Sequence, residues 1–300
     1  MPLKSQLHVS QLLSNVSVQY KNSNYIWDKV FPQVMVSKDN DLYRVYDRNF
    51  RLPETKRAPK AAANEFNFEV STASYALEQH ALKDYIGVDE AANYDFGGLQ
   101  VDAVENLTEA IQRRIEKSVA DLFVKANWSL QVSLGATTAF SQNTTVSDPV
   151  PIFDTAATSI INASGMVPNF GVLPRAGYVS CKNHVSVLDR VKYTSSEVSQ
   201  VMLASLFGLP ELHIPTAVID TGAEGATAVV GAVWGSIAFV GWKPNAAGKK
   251  APSCGYTFMS SAPRVRTWFD DERNADVVEV EVKYQAKIVA SLTGYLIGGT

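Results

Sequence analysis

The clearest periodic pattern in the chain is helical and spans residues 101–127. Hydrophobic residues recur there at every third or fourth position with charged residues between them, as on a helix that has one apolar face. The apolar positions are Val104, Leu107, Ile111, Ile115, Val119, Leu122 and Ala126, and the polar faces carry Glu105, Glu109, Arg113, Glu116, Lys117 and Lys125. At 1.5 Å per residue such a helix is ~40 Å long. The pattern therefore predicts a helix long enough to be the spine of a domain.

Upstream of this helix, hydrophobic and polar residues alternate as in β-strands over residues 33–50 and 66–77. Pro53, Pro59 and several charged residues lie between the two runs, so the pattern predicts a long two-stranded hairpin with an irregular tip. At about 3.3 Å per residue its arms would reach ~50 Å, against a radius of gyration of ~19 Å for a compact chain of this length. The hairpin therefore lies across the body or projects from it. Because an isolated ribbon is marginal in water, a projecting hairpin implies that another chain receives it.

Short helices and strands alternate after residue 150, which predicts a second α/β region up to about residue 250. The predicted helices are 153–164, ended by Gly165, then 183–191, and one that opens at the capping-box pair Thr194 and Glu197 and ends at Gly208. The predicted strands of this region are 178–181, 213–220 and 227–240, preceded by a strand and loop over 128–148. Later strands are predicted at 254–259, 265–269 and 278–283. We expect these C-terminal strands to return to the spine helix.

Composition narrows the classes of protein that fit. The 300 residues are 46% hydrophobic and 19% charged, which excludes an intrinsically disordered chain. The formal net charge of −3 gives no global electrostatic reason to bind nucleic acid. Two cysteines, Cys181 and Cys254, cannot form a disulfide framework and are expected to be buried thiols in a reducing setting.

Two segments are candidates for a targeting or membrane element. Polar residues interrupt the apolar positions of residues 1–19, so a short amphipathic helix or docking arm is favoured over a secretory signal. The uncharged run 225–242 approaches the minimum length of a membrane span, about 17 residues. Four glycines interrupt that run and Val, Thr and aromatic residues fill it, which favours paired buried strands.

No motif for catalysis or metal binding is present. The histidines His8, His80, His184 and His213 lack the spacing of metal sites, and neither a nucleophile elbow nor a phosphate-binding loop occurs. The acidic run Asp270-Asp271-Glu272 is flanked by Arg266 and Arg273, so a solvated turn is favoured over a cation site. The sequence therefore gives no positive support for an enzyme, a metal site or a cofactor.

Charge is segregated along the chain. Arg48, Arg51, Lys56, Arg57 and Lys60 against the lone Glu54 give the hairpin tip a net charge of +4, and Asp84, Asp89, Glu90, Asp95, Asp102 and Glu105 give the next stretch −6. One interpretation is two solvated loops. The other is that the basic tip of one copy contacts the acidic stretch of a neighbouring copy, where complementary charge sets register and association rate. Repeated head-to-tail contacts of this kind close into a ring or shell.

A series of segments in a fixed order resembles one protein family. The segments are Asn24-Tyr25-Ile26, Val30-Phe31-Pro32, Tyr43-Arg44-Val45-Tyr46, Arg57-Ala58-Pro59, Glu78-Gln79-His80-Ala81-Leu82, Val191-Lys192-Tyr193, Leu206-Phe207-Gly208, Trp234-Gly235, Gly255-Tyr256-Thr257-Phe258 and Gly294-Tyr295-Leu296-Ile297. Their order and spacing, from about residue 15 onward, are similar to those of tailed-bacteriophage major capsid proteins of the Hong Kong 97 type.

The resemblance implies an α+β Hong Kong 97-like capsid fold. Its implied parts are an N-terminal arm (1–32), an extended β-hairpin or E-loop (33–82), the first part of a peripheral P-domain with the spine helix (83–149), an α/β axial A-domain (150–252), and P-domain return strands (253–300). Some relatives crosslink subunits through a lysine and an asparagine. Lys56 and Lys60 lie near the tip, but no motif matches, so that chemistry is not carried over.

The function implied by the resemblance is structural and not enzymatic. Hexamers and pentamers of the chain would assemble in the host bacterial cytoplasm into an icosahedral shell around double-stranded DNA, with no cofactor, no membrane and no sequence-specific DNA contact. A separate scaffolding protein is expected because only about 30 residues precede the hairpin, and a portal and a decoration protein are further candidate partners. The alternatives are a cargo-holding encapsulin of the same fold, or an unrecognised soluble enzyme or binding module.

Overall fold

Most of the chain is described by the computed structural model, which covers residues 8–9, 13, 17, 24–46, 54–57, 62–65, 70–94, 98–193, 197–222, 225, 227–249 and 251–299. Its strands are β1 (His8–Val9), β2 (Gln33–Met35), β3 (Asn40–Tyr46), β4 (Val70–Ala76), β5 (Glu78–Gly87), β6 (Leu130–Ser133), β7 (Phe170–Val172), β8 (Glu211–His213), β9 (Val218–Asp220), β10 (Val230–Ala232), β11 (Ile237–Gly241), β12 (Gly255–Met259), β13 (Arg264–Asp270), β14 (Ala275–Ile288) and β15 (Gly294–Gly298). Its α-helices are α1 (Trp27–Val30), α2 (Val88–Asn93), α3 (Leu99–Ala120), α4 (Pro149–Ser164), α5 (Arg175–Lys182), α6 (Val185–Val191) and α7 (Gln200–Leu206). Short 3₁₀ turns lie at Lys125–Asn127, Phe140–Gln142, Thr145–Ser147 and Ser291–Thr293.

The larger sheet is organised around β14, its longest strand. β5 pairs antiparallel with one side of β14, and β13 and then β12 pair antiparallel with the other side. β2 extends the sheet beside β12, and β1 extends it beside β13. The spine helix α3 packs on β14 and β5, with Val104, Ile111, Ile115 and Val119 in the same buried cluster as Val278 and Val280 of the sheet. The predicted return of the late strands to the spine helix is thus correct for β14.

The smaller sheet has the strand order β6-β15-β11-β7-β8. Helix α4 packs on its strands β6, β11 and β15, and Phe153 and Ile160 of α4 share a buried cluster with Ile297 of β15. β15 thus lies in the smaller sheet and not beside the other late strands, while its Leu296 belongs to the same buried cluster as Val104 and Ile111 of the spine helix. All five of its residues are buried, which suits a strand covered on both faces in the interior of a sheet.

Two further expectations differ from the structure. Residues 178–181, predicted as a strand, belong to helix α5, where Gly177 and Cys181 face the core at helical spacing, and the strand of this region is β7. Helix α7 opens at Ser199, whose hydroxyl accepts a hydrogen bond from the Met202 amide at 3.3 Å. The predicted capping residue Thr194 lies outside the described residues, and Glu197 is paired with Lys182 at 2.7 Å.

The spine helix also ends earlier than predicted. It stops at Ala120, and a separate 3₁₀ turn follows at Lys125–Asn127. The bend between them allows the indole N–H of Trp128 to donate to the carbonyl of Leu122 at 3.1 Å. Of the two apolar positions beyond Ala120, Leu122 packs on the core from a loop and Ala126 is exposed. Periodicity alone does not distinguish this arrangement from another helical turn.

One residue predicted on the polar face of the spine helix is fully buried. Glu116 accepts hydrogen bonds from the amides of Ile26 at 3.1 Å and Trp27 at 2.8 Å, which open helix α1. Its other oxygen accepts from the indole N–H of Trp234 at 2.5 Å. Burial raises the pKa of Glu116, and these donors oppose that shift because they favour the carboxylate. A buried carboxylate with three donors is satisfied, so Glu116 joins the N-terminal segment, the spine helix and the loop before β11.

We predict that Glu116→Gln destabilises the fold. The substitution keeps the side-chain volume but replaces one acceptor oxygen by an N–H₂ donor that faces other donors, at a cost of about 2–3 kcal/mol in the free energy of unfolding. Urea unfolding of the unassembled protein, followed by tryptophan fluorescence, measures this cost. The matched control is Glu109→Gln on the same helix, which weakens a partly exposed pair with Arg113 and should cost about 0.5 kcal/mol or less. Equal losses for the two variants would contradict the role of Glu116.

Candidate assembly surfaces

The predicted hairpin is present in the described strands β3 and β4. They pair antiparallel from Asn40 opposite Ala76 to Tyr46 opposite Val70. β2, which the alternating pattern joined to the first arm, lies in the larger sheet instead, and so does β5, whose first residues fall within the implied E-loop range 33–82. The hairpin therefore leaves the sheet where β2 ends and returns directly into β5.

A small aromatic core fixes the base of the hairpin. The ring of Tyr75 on β4 stacks on Phe258 of β12 with centroids 4.6 Å apart, and the ring of Tyr43 on β3 lies 5.4 Å from the same phenyl ring. Val34, Val36, Tyr256 and Val289 complete this buried cluster. Aromatic pairs of this kind contribute about 0.5–1.5 kcal/mol each beyond their buried area, so the hairpin is packed on the larger sheet as well as covalently joined to it.

Ion pairs surround this core, and we call the whole arrangement the hairpin joint. The ammonium of Lys249 donates to the carboxylate of Asp41 at 2.9 Å and to the hydroxyl of Tyr75 at 3.0 Å. Lys283 on β14 pairs with Asp39 at 2.7 Å. The hydrogen bond from Lys249 lowers the pKa of Asp41, so this carboxylate stays ionised at neutral pH. The joint holds both strands of the hairpin at a defined angle to the sheet.

Part of the basic tip is described, in residues 54–57 and 62–65. The side-chain amide of Asn64 donates to the carbonyl of Glu54 at 2.7 Å, which brings the two sides of the tip together. Lys56 and Arg57 are exposed there. The other three basic residues predicted for the tip, Arg48, Arg51 and Lys60, lie outside the described residues.

The acidic stretch follows the chain around the end of β5. Asp84 is exposed on β5, and Asp89 and Glu90 are exposed in the first turn of α2. Asp102 in the first turn of α3 accepts a hydrogen bond from the hydroxyl of Tyr94, and Glu105 is half-buried one turn further along. Asp95 lies outside the described residues. The described acidic residues thus occupy one continuous region, from β5 to the start of the spine helix.

The structure adds residues that the sequence did not connect with this stretch. The turn between β13 and β14 lies beside α2, because the amide of Val88 donates to the carbonyl of Asn274 at 3.4 Å. Asp271 and Glu272 of this turn are exposed, as expected of a solvated turn, and they extend the acidic region. Only the pairing of β5 with β14 reveals this proximity.

Two cations border the acidic region. The guanidinium of Arg273 lies 4.3 Å from the ring centroid of Tyr85, and the ammonium of Lys83 lies 5.0 Å from it. The acidic stretch has no basic residue within its sequence, but the fold places these two at its edge. The surface is therefore acidic with a mixed border.

The buried titratable residues have structural roles. His184 caps α6 by accepting from the amide of Ser186 at 3.2 Å, and its other ring nitrogen lies 3.0 Å from the hydroxyl of Ser147. Burial raises the pKa of Cys254 to about 12 and that of Cys181 higher still, so both thiols stay protonated and unreactive. Across the described ranges, no group of three or more His, Cys, Asp or Glu side chains could hold a metal ion.

The described part of the uncharged run 225–242 contains two strands joined by a turn. β10 pairs with β9, and β11 lies in the interior of the smaller sheet. Among the described helices none has the length and apolar character that a membrane span requires. The interpretation of the run as paired buried strands is confirmed for β11, whereas β10 is paired but largely exposed.

Comparison with known proteins identifies the architecture. No protein-family model matches the chain. The major capsid protein of Burkholderia phage BcepMu is 28% identical over 303 residues, which cover 97% of this chain and 96% of the relative. A solved phage-related protein from Bordetella bronchiseptica RB50 superposes with a TM-score of 0.80 at 26% identity, over 98% of this chain and 97% of that one.

The fold also recurs at lower identity. The capsid protein of Cyanophage P-SCSP1u superposes with a TM-score of 0.63 at 11% identity, over 91% of this chain and 88% of that one, which compares the folds alone. The predicted α+β fold is confirmed, and the relatives are structural proteins, in agreement with the absence of enzymatic motifs. The chain is therefore similar over nearly its whole length to a phage major capsid protein, and it has the Hong Kong 97-type fold.

Proposed function

We propose that copies of this chain associate into an icosahedral shell that encloses double-stranded DNA, with the hairpin of each copy lying on a neighbour. The observation that carries this proposal is the near full-length similarity to the BcepMu major capsid protein. The hairpin joint supports it, because a ribbon held by packing and ion pairs at its base is built to present its tip elsewhere.

The two sheets and the hairpin would correspond to the domains implied by the resemblance. The larger sheet with α3 would be the peripheral P-domain, begun by residues 83–149 and completed by return strands within 253–300. The smaller sheet with α4 to α7 would be the axial A-domain, centred on residues 150–252 and including β6 and β15. Residues 33–82 would supply the E-loop, and residues 1–32 the N-terminal arm.

The tip of the hairpin points away from the acidic stretch of its own chain. Only Leu77 separates β4 from β5, and the amide of Ala76 donates to Gln285 at 2.9 Å, next to the pairing of Glu78 with Tyr284. β4 therefore continues from the end of β5 that is opposite Gly87, and the segment 70–87 is at most roughly 60 Å long at about 3.3 Å per residue. Lys56 and Arg57 would then meet Asp89 and Glu90 of a neighbouring copy, a head-to-tail contact that repeats around a ring.

The proposal extends to the partners of the shell. A separate scaffolding protein would guide assembly in the host bacterial cytoplasm, a portal would admit the DNA, and a decoration protein would bind outside. The chain carries a formal charge of −3, so it would confine DNA without gripping it through phosphate contacts. Encapsulins adopt the same fold, and the sequence relative, a phage capsid protein, favours the DNA-containing shell over a protein cargo.

We expect the chain, co-expressed with its scaffolding protein, to form shells of uniform size in electron micrographs. Nuclease-protected DNA in particles from infected cells would separate a phage capsid from an encapsulin, whose shells would contain a protein cargo. Chains that stay monomeric with the scaffold present would contradict the proposal.

Charge reversal tests the contact of the hairpin tip. We expect Lys56→Glu with Arg57→Glu to slow shell assembly at least tenfold, because complementary charge accelerates encounter. Asp89→Lys with Glu90→Lys should slow it equally, and combining the four substitutions should restore most of the rate. Light scattering follows assembly, and unfolding of the unassembled chains checks that each variant is folded. Normal assembly of either reversed pair would contradict the contact.

A further inference from the structure

One edge of the larger sheet is open. β5 pairs with β14 on one side, and none of the strands in the described part of the chain pairs with its other side. Most of its ten residues are exposed. An open edge presents unpaired N–H and C=O groups and is a template on which another strand can add.

A cleft of about 410 Å³ runs along this edge, between β5 and the spine helix α3. Buried Ile111 and half-exposed Leu82 give it an apolar wall. His80 and Arg114 supply its polar lining. An edge strand beside a helix is a common way to bind an extended segment, since the ladder gives affinity and the cleft selects side chains.

The cleft defines what an added strand must carry. On the face toward α3 it needs an apolar side chain for the wall formed by Leu82 and Ile111. It also needs an acidic side chain for Arg114, two residues away on the same face, because side chains alternate along a strand. β5 itself has this pattern in Leu82, which is 42% exposed, and Asp84, which is exposed.

A second described strand, β9, has an apolar and an acidic residue at the same spacing, but its acidic side chain is not available to Arg114. Val218 and Asp220 on β9 are both exposed and two residues apart. The carboxylate of Asp220 already accepts from the amides of Gly222 and Val229, each at 2.8 Å. β9 would lose the turn that these bonds hold if its carboxylate moved to Arg114.

We propose that β5 pairs with β5 of a second copy across a two-fold axis, with Leu82 opposite its own counterpart. Antiparallel strands related by a two-fold keep both helices on one face of the joined sheet, so opposite residues must both be even-numbered or both odd-numbered. In this register His80 lies opposite Asp84 of the second copy, twice. Asp84 of each copy then lies beside the Arg114 of the other.

Neighbouring registers are excluded by charge. If the two-fold axis passed through Ala81 instead, Glu78 would lie opposite Asp84. If it passed through Lys83, that lysine would lie opposite its own counterpart. Like charges directly opposite each other destabilise a strand pair. The register centred on Leu82 has neither conflict, which is why the sequence of β5 favours it.

The contact rests on the proposed function and completes it. Head-to-tail hairpin contacts close a ring but do not join one ring to the next, whereas an isologous two-fold contact joins two rings. The occupant is therefore a second copy of this chain in an adjacent ring.

Disulfide trapping tests the register. Opposite residues have Cβ atoms about 4.5–5.5 Å apart, so Leu82→Cys in assembled particles should give covalent dimers on a non-reducing gel after mild oxidation. The control is Gln79→Cys on the same strand, which lies opposite Tyr85 and should stay uncrosslinked. Native Cys181 and Cys254 are buried and do not compete. Particles that form normally but give no Leu82→Cys dimers, or equal dimers from the control, would overturn the β5 contact and leave the proposed function intact.

Exchanging the charges of Asp84 and Arg114 tests whether a second copy of β5 occupies the open edge. Asp84→Arg and Arg114→Asp should each leave rings that fail to join into shells, and the double variant should restore shells. If the double variant formed no more shells than the single variant that forms more of them, the proposal would be overturned. If Asp84→Arg were rescued by Lys56→Glu with Arg57→Glu instead of Arg114→Asp, the hairpin tip of a neighbour would be the occupant, which would also overturn it.

Discussion

The carboxylate of Glu116 holds together three parts of the chain that are distant in sequence. Its donors come from the start of helix α1 and from Trp234 before β11, while its own backbone belongs to the spine helix. A buried charge is tolerated only when its hydrogen bonds are complete. The three segments must therefore meet with the correct geometry, because any other arrangement leaves the buried carboxylate without a donor. The angle between the two sheets depends on this meeting point, because Trp234 lies between β10 and β11, the strand that enters the smaller sheet.

The two ends of the extended segment 70–87 differ in how firmly they are held. At the hairpin joint, Tyr75 is packed against Phe258 and hydrogen-bonded to Lys249. Along β5, one edge and most side chains remain exposed. A fixed base with exposed surfaces beyond it is what a subunit needs if its folding and its association are to be separate steps. The low charge of the chain, 19%, fits an assembly in which the centres of the contacts exclude charged residues.

Local patterns predicted the elements well and their partners poorly. Periodicity of three to four residues identified the spine helix, and alternation identified β3, β4 and β14, because each pattern is decided by which face is buried. Residues 178–181 were misassigned because a short apolar run suits a strand or a helix equally. The burial of Glu116 and the pairing of Lys249 with Asp41 depend on segments more than 80 residues apart. A single sequence contains no signal for such contacts. For the same reason, the sequence did not show that the turn at Asn274 extends the acidic stretch.

The hairpin joint has a geometric consequence for any assembly built from this chain. Strand β3 carries the chain about 10 Å beyond Tyr43 of the joint at about 3.3 Å per residue, and the tip lies further out. A hairpin of this kind acts as a lever, so a rotation of a few degrees at Lys249 and Tyr75 becomes a displacement of several ångströms at Lys56. The curvature of a closed container is the sum of such angles over all subunits. The stiffness of one small aromatic and ionic cluster would therefore set the tolerance with which containers of equal size can be made.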